Sequence, residues 1–289
     1  MRDTALLDHR QLDLEGADRL TYVLEQTFRY DYDTPVQALR QRLVALPRPR
    51  HGDQHRRTAE LEVVGADTVR RTLRDRHGNE VIQLRADRVE QSVEFRISAT
   101  LERVRGDGPA MLPVASLSDR RLLGPTALTA PDERIRDFAH SLDQRSDTPL
   151  ERGERICVAV FEAIKYEYGV TGVRTCAAEA LAGGVGVCQD SAHVMVAICH
   201  VLALPARYVS GHLLGQGGTH AWVEVLVAAE GTAVAIAFDP CNGHRANSKY
   251  VTVATGRDYR DVAPTSGSFV GRTHNRLTTT RRVGIVAAA

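Results

Sequence analysis

One stretch narrows the fold choices more than any other: a glycine-rich turn, Gly183-Gly184-Val185-Gly186-Val187, that runs into Cys188 and then into a long apolar segment. Residues 189–204 read as one helix, with Val194, Ala197, Ile198 and Val201 on a single apolar face. Cys188 therefore stands at a helix N-terminus. Unpaired N–H groups and the positive end of the helix dipole stabilise a thiolate there, and later an oxyanion. A buried structural cysteine needs no such turn, whereas a nucleophile needs close approach of its substrate. Cys157 and Cys199, set among apolar neighbours, read as small core residues, and Cys176 and Cys241 are ambiguous.

A base follows in sequence. His220 opens the alternating run Ala221 to Val227, and the run Ala233 to Phe238 ends at Asp239-Pro240. An antiparallel pair joined by a turn at Glu230-Gly231 would set Asp239 beside His220. Carboxylate, imidazole and thiol in that order make a nucleophile with an oriented base.

These blocks resemble the transglutaminase-like superfamily, in its bacterial branch with a β-rich N-terminal domain. The residues that carry the resemblance are Gly-Val-Cys-Gln-Asp-Ser-Ala-His (186–193), Leu-Pro-Ala-Arg-Tyr-Val-Ser-Gly (204–211), His-Ala-Trp-Val-Glu-Val (220–225) and Phe-Asp-Pro (238–240). Gly-Arg-Asp-Tyr-Arg-Asp-Val-Ala-Pro (256–264) and Phe-Arg-Tyr-Asp-Tyr-Asp-Thr-Pro-Val (28–36) extend it. The resemblance implies a papain-like or transglutaminase-like catalytic domain, helices packed on an antiparallel sheet, and permits a substrate or oxyanion contact at Gln189. It also implies association with peptide-ligase-type enzymes, which bacterial relatives often accompany.

The 289 residues suffice for two modest domains. From Leu20 to Arg105 the pattern is strand-like, with a hairpin at Thr68 to Arg85 turning on His77-Gly78-Asn79, and a strand from Val93 to Val104. Many strands with short turns predict a β-sandwich. Glycines and prolines between Arg105 and Pro131 mark a boundary, placing a β-rich domain at 1–125 and a catalytic domain at 126–289. In the second, helices are expected at 132–142, 150–166 and 175–181, then strands from Arg207 onward that include 250–254 and 275–286. The fold class is α+β.

Formal charge is +1, from 37 basic and 36 acidic residues, which argues against binding nucleic acid by bulk electrostatics. Arg70, Arg71, Arg74 and Arg76 are expected on a solvated face. No stretch approaches the roughly eighteen apolar residues of a membrane span, and Met1-Arg2-Asp3-Thr4 opens no signal peptide, so the expected compartment is the cytoplasm. Five cysteines without paired spacing fit reduced thiols. His193, His200, His212 and His244 lack the spacing of a metal site, and no cofactor is implied. His193 is expected to pack one turn along the Cys188 helix, His212 and His244 to lie on the rim, and His51, His55 and His77 to be solvated in polar turns. Asp190 is expected to complement the helix dipole and fix the first turn. Trp222 shares a strand face with His220 and Glu224, which inclines it to the site rather than to the sheet core.

The chemistry expected is thiol-dependent acyl transfer on an amide or peptide through Cys188, His220 and Asp239, with hydrolysis favoured because no calcium-type acidic loop occurs. Protein-glutamine transglutaminase activity and a non-catalytic peptide-binding module are the alternatives. Retention of all three residues counts against the module.

Overall fold

The computed structural model describes residues 5–144 and 147–289. Seven strands come first: β1 (Arg19–Tyr32), β2 (Val36–Leu43), β3 (Arg50–His51), β4 (Gln54–Val64), β5 (Val69–Arg74), β6 (Glu80–Val89) and β7 (Ser92–Val104). Strict alternation along β1 buries Leu20, Tyr22, Leu24, Gln26 and Phe28 on one face, as a half-buried strand requires. The connecting region holds β8 (Met111–Pro113) and the short helix α1 (Arg120–Leu123). Then come α2 (Glu133–Leu142), α3 (Pro149–Ala163), β9 (Lys165–Tyr166), α4 (Ala177–Gly183), β10 (Val185–Gly186) and α5 (Cys188–Val201). The chain continues through β11 (Ala206–Leu213), β12 (His220–Ala229), β13 (Thr232–Asp239), β14 (His244–Arg245), β15 (Tyr250–Gly256), α6 (Tyr259–Val262), β16 (Thr265–Val270) and β17 (Asn275–Ala288).

The N-terminal strands form two antiparallel sheets, ordered β17-β1-β7-β4-β3 and β16-β2-β6-β5. Phe28, Phe95 and Ile97 of one sheet interlock with Leu39, Leu43, Ile82 and Leu84 of the other. This is the expected sandwich. The third sheet, β14-β13-β12-β11-β15, carries α5 on one face, with Ala221, Val223 and Val225 packed against its side chains. α5 is buried from Asp190 through Cys199, so it is the central helix of an α+β unit rather than an amphipathic surface helix. It stops at Val201, short of the expected 204, because Leu204 precedes a proline and Ala203 takes a left-handed turn (φ 53°). α3 likewise ends at Ala163, where the chain straightens into β9.

A division at residue 125 does not describe the sheets. β17 pairs with β1 from Leu20↔Ala288 to Tyr32↔Asn275, and β16 pairs with β2, so residues 265–288 complete the sandwich. In the other direction, β8 joins β13 of the third sheet. The helical and third-sheet unit is thus inserted between strands of the sandwich. Two side-chain amides also join the units: Gln54 and Asn79 each donate to and accept from the backbone of edge strand β15, at Thr252 and Thr255. They occupy hydrogen-bonding groups that an open edge would leave for another chain.

Arg70, Arg71, Arg74 and Arg76 are exposed, as expected. The three histidines expected in solvated turns are instead paired with carboxylates: His51 with Glu224, His55 with Asp107 and His77 with Asp261. Among the described residues no helix is long and apolar enough to cross a membrane.

A fragment of residues 1–125 lacks both strands that close its sheets and should not fold alone. Its heteronuclear NMR spectrum is expected to be collapsed, and a linked segment spanning 264–289 is expected to restore dispersion; a well-dispersed spectrum of 1–125 by itself would refute the insertion topology.

Candidate active site

The turn before Cys188 uses its glycines for two separate reasons. Gly184 closes α4 in the left-handed region (φ 65°), and Gly186 lies so close to Asp190 that an added Cβ would stand 2.8 Å from that side chain. Asp190 accepts from the Val187 N–H at 2.8 Å and from the Thr171 hydroxyl at 2.6 Å, which fixes the first turn of α5. Burial raises the Asp190 pKa against those two donors. Cys188 is the first residue of the helix and is partly exposed.

β12 and β13 pair from Val223↔Phe238 to Ala229↔Thr232, with Glu230-Gly231 as the turn. This hairpin brings His220 Nε2 to 2.6 Å from Asp239 Oδ2, both groups being buried. Asp239 is fully buried, yet it accepts three further hydrogen bonds: from Asn242 Nδ2 (2.7 Å), from the Tyr250 hydroxyl (2.7 Å) and from the Cys241 N–H (2.9 Å). Burial would raise its pKa, but His220, Asn242 and Tyr250 hold it below the usual value. Burial likewise disfavours a charged His220, yet the hydrogen-bonded Asp239 and the Cys188 thiol outweigh it and push the imidazole up to about 9. With Nε2 committed to the carboxylate, Nδ1 is the nitrogen left for the thiol.

Among the other sequence candidates, Gln189 donates its side-chain amide to the Gly172 carbonyl at 3.2 Å and so helps hold the 165–175 loop. Trp222 is buried, its ring stacked on His220 (centroids 6.2 Å apart) and edge-on to Tyr250 (5.4 Å). It packs against the imidazole. His193 packs on the Tyr208 ring and accepts from the Tyr259 N–H, and burial pushes it down to about 4. His212 is buried, which overturns its expected place on the rim, and is likewise pushed down to about 4; His244 is exposed beside Tyr250. Burial pushes Cys157 up to about 12 and raises Cys199 and Cys241 as well. Among the described residues no three His, Cys, Asp or Glu side chains converge as a metal site.

Sequence reasoning missed Asn242 and Tyr250. Asp239-Pro-Cys-Asn at the end of a strand is a turn that an asparagine can close, so Asn242 left a local signal. Tyr250 left none. It also missed the buried group behind Trp222, where Glu224 accepts from Arg207 and from His51 of β3, each at 2.6 Å. Burial would raise the Glu224 pKa, but Arg207 and His51 hold it far below the carboxylate range, while burial lowers that of His51. The sandwich is thereby bonded to the strand that carries His220.

Residues 136–240 match the model of the transglutaminase-like superfamily, and residues 22–102 that of the bacterial transglutaminase-like N-terminal region. An uncharacterized protein of Mycobacterium leprae is 31% identical over 163 residues, covering 52% of this chain and 56% of the relative, so the match spans about half of that protein. An uncharacterized protein of Mycobacterium tuberculosis is 26% identical over 285 residues, covering 90% of this chain and 87% of the relative. A crystal structure from Cytophaga hutchinsonii, of a protein proposed to be a cysteine protease, superimposes with a TM-score of 0.75 at 19% identity over 94% of this chain and 92% of that one. This likeness shows the fold.

Two outcomes follow from the buried charges. In an NMR titration the His220 ring should change protonation near pH 9 and nearer neutrality in Asp239→Asn, with an unchanged midpoint ruling out the pair as the cause. Since the folded pKa is raised above the unfolded value of about 6.5, the stabilisation from this group is complete below that pH and is lost as the pH rises through about 9. Glu224→Ala leaves the Arg207 charge buried without its partner and should cost about 3–5 kcal/mol in chemical denaturation.

Proposed function

The chain belongs to the transglutaminase-like superfamily, and from that premise we propose that it catalyses thiol-dependent acyl transfer on amide or peptide bonds, with water as the usual acceptor. The observation that carries the reading is the buried 2.6 Å contact between His220 and Asp239, in a fold that sets Cys188 at the first position of α5. A retired site has no need of an ionised carboxylate at full burial, because that group is costly unless every donor around it is kept.

In this reading His220 and Cys188 react as imidazolium and thiolate. The sulfur attacks the carbonyl carbon, and the backbone N–H groups at the start of α5 stabilise the oxyanion. The tetrahedral intermediate then expels the amine, which leaves with the imidazolium proton, and a thioester remains on Cys188. Neutral His220 next takes a proton from water as the hydroxide adds to the thioester. Collapse releases the acid and restores the thiolate–imidazolium pair. Asp239 keeps the ring in one tautomer and stabilises its charge throughout.

Thiol reactivity gives a first test. Brief iodoacetamide treatment at neutral pH should modify Cys188 well before Cys157 or Cys199, which are buried and raised; uniform labelling of all five thiols would count against an activated nucleophile. Turnover gives the second. With fluorogenic peptide amides, Cys188→Ala should abolish the acyl-enzyme and Asp239→Asn should lower kcat by roughly three to four powers of ten. Unchanged turnover in Cys188→Ala would transfer the site to the peptide-binding alternative. Preferential incorporation of a labelled primary amine by the wild type would make the enzyme a transglutaminase.

A further inference from the structure

The segment between α3 and α4 is fastened to the nucleophile turn at several points. β9 pairs in parallel with β10, Tyr166 opposite Gly186, and the Glu167 N–H donates to the Gly186 carbonyl at 2.8 Å. Further along, Thr171 is bonded to Asp190 and Gly172 to Gln189, the two residues that follow Cys188. Four contacts of this kind leave the loop one position relative to the sulfur.

A loop held so closely would be expected to bury its large side chains, and it does the reverse. Tyr166 is 58% exposed, Tyr168 87%, Val170 46% and Val173 57%. Phe161, 48% exposed at the end of α3, lies against the turn that follows Asp239: an added Cβ on Gly243 would meet its ring at 2.9 Å. Tyr166 pairs with Gly186, two residues before Cys188, which places it beside the nucleophile turn. The imidazole side of the site is closed, since His220 and Trp222 are 3% and 1% exposed. Apolar surface gathered in this way marks a place where a partner is bound.

We propose that the strip formed by Phe161, Tyr166, Tyr168, Val170 and Val173 is the acyl-donor subsite, and that it selects peptides with a large apolar side chain on the residue that supplies the scissile carbonyl. The occupant follows from continuity: the loop that carries the strip is bonded to Gly186, Gln189 and Asp190 on either side of Cys188, so whatever lies along it presents its next carbonyl to that thiol. An aromatic or branched side chain would cover rings and methyl groups that otherwise face water, and a glycine in its place would leave them wet. The phenols serve a second purpose, because their rings contact the side chain while their hydroxyls remain available to the peptide backbone. This inference rests on the acyl-transfer reading above.

The test compares two peptidyl chloromethyl ketones that differ only in having phenylalanine or glycine next to the warhead, each alkylating Cys188 irreversibly. The rate ratio cancels any change in thiol reactivity that affects both probes. Wild type should react roughly ten- to a hundredfold faster with the phenylalanine probe. The ratio should fall towards one in Tyr168→Ser combined with Val173→Ser, and Tyr168→Phe should retain it. A wild type without preference, or a ratio unmoved by the double substitution, would overturn the subsite while leaving the acyl-transfer reading in place. If neither probe modifies Cys188, that reading fails and the subsite falls with it.

Discussion

An ionised carboxylate with no solvent contact is the constraint around which the site is arranged. Asp239 can keep its charge only because four donors face it, drawn from three parts of the chain. The Cys241 N–H and Asn242 amide set the turn after β13. Tyr250 reaches in from the first residue of β15, three strands along the sheet beyond β12 and β11, and His220 from the start of β12. Loosening any one donor would leave lone pairs without partners and raise the cost of the charge. The imidazole orientation is therefore a property of three strands and a turn, not of one hydrogen bond.

The sulfur reaches this arrangement from the other side of the sheet. α5 lies on the face formed by Ala221, Val223 and Val225, whereas His220 and Trp222 alternate to the opposite face. Only the first turn of the helix meets the imidazole, so its exact placement depends on what precedes it: the left-handed Gly184, the close approach at Gly186 and the Asp190 bonds to Val187 and Thr171. Behind Trp222, the Glu224 group anchors the same strand to the sandwich through His51. The N-terminal unit thus bears on the position of β12 without supplying any reacting group.

What could be read from the sequence was local. The Cys188 turn, the hairpin that carries His220 and Asp239, and the strand-rich N-terminal half are written in spacing and turn residues close together in the chain. The most consequential misreadings involve distant partners. His51 sits in a polar run and looked solvated, yet its carboxylate lies in β12. Gln54 and Asn79 look like ordinary turn and strand polar residues, and only the assembled fold reveals them bonded to the edge of β15. The boundary at residue 125 failed for the same reason: nothing local in residues 275–288 says that they pair with residues 20–32.

That pairing bears on how the protein is made. During synthesis β1 emerges early, while β17 appears only after the whole inserted unit has been translated. At ribosomal speeds of about 5–20 residues per second, β1 waits on the order of tens of seconds with one edge unpaired. The edge is rich in threonine and charge, from Thr21 and Glu25 to Thr27, Arg29 and Asp31, and such side chains discourage pairing with a neighbouring nascent chain. Closure of the sandwich is consequently a late event, since it cannot precede translation of the helical and third-sheet unit that lies between the two strands. A lesion in β17 would show itself first as poor yield and aggregation during expression, at a distance from any effect on the thiol.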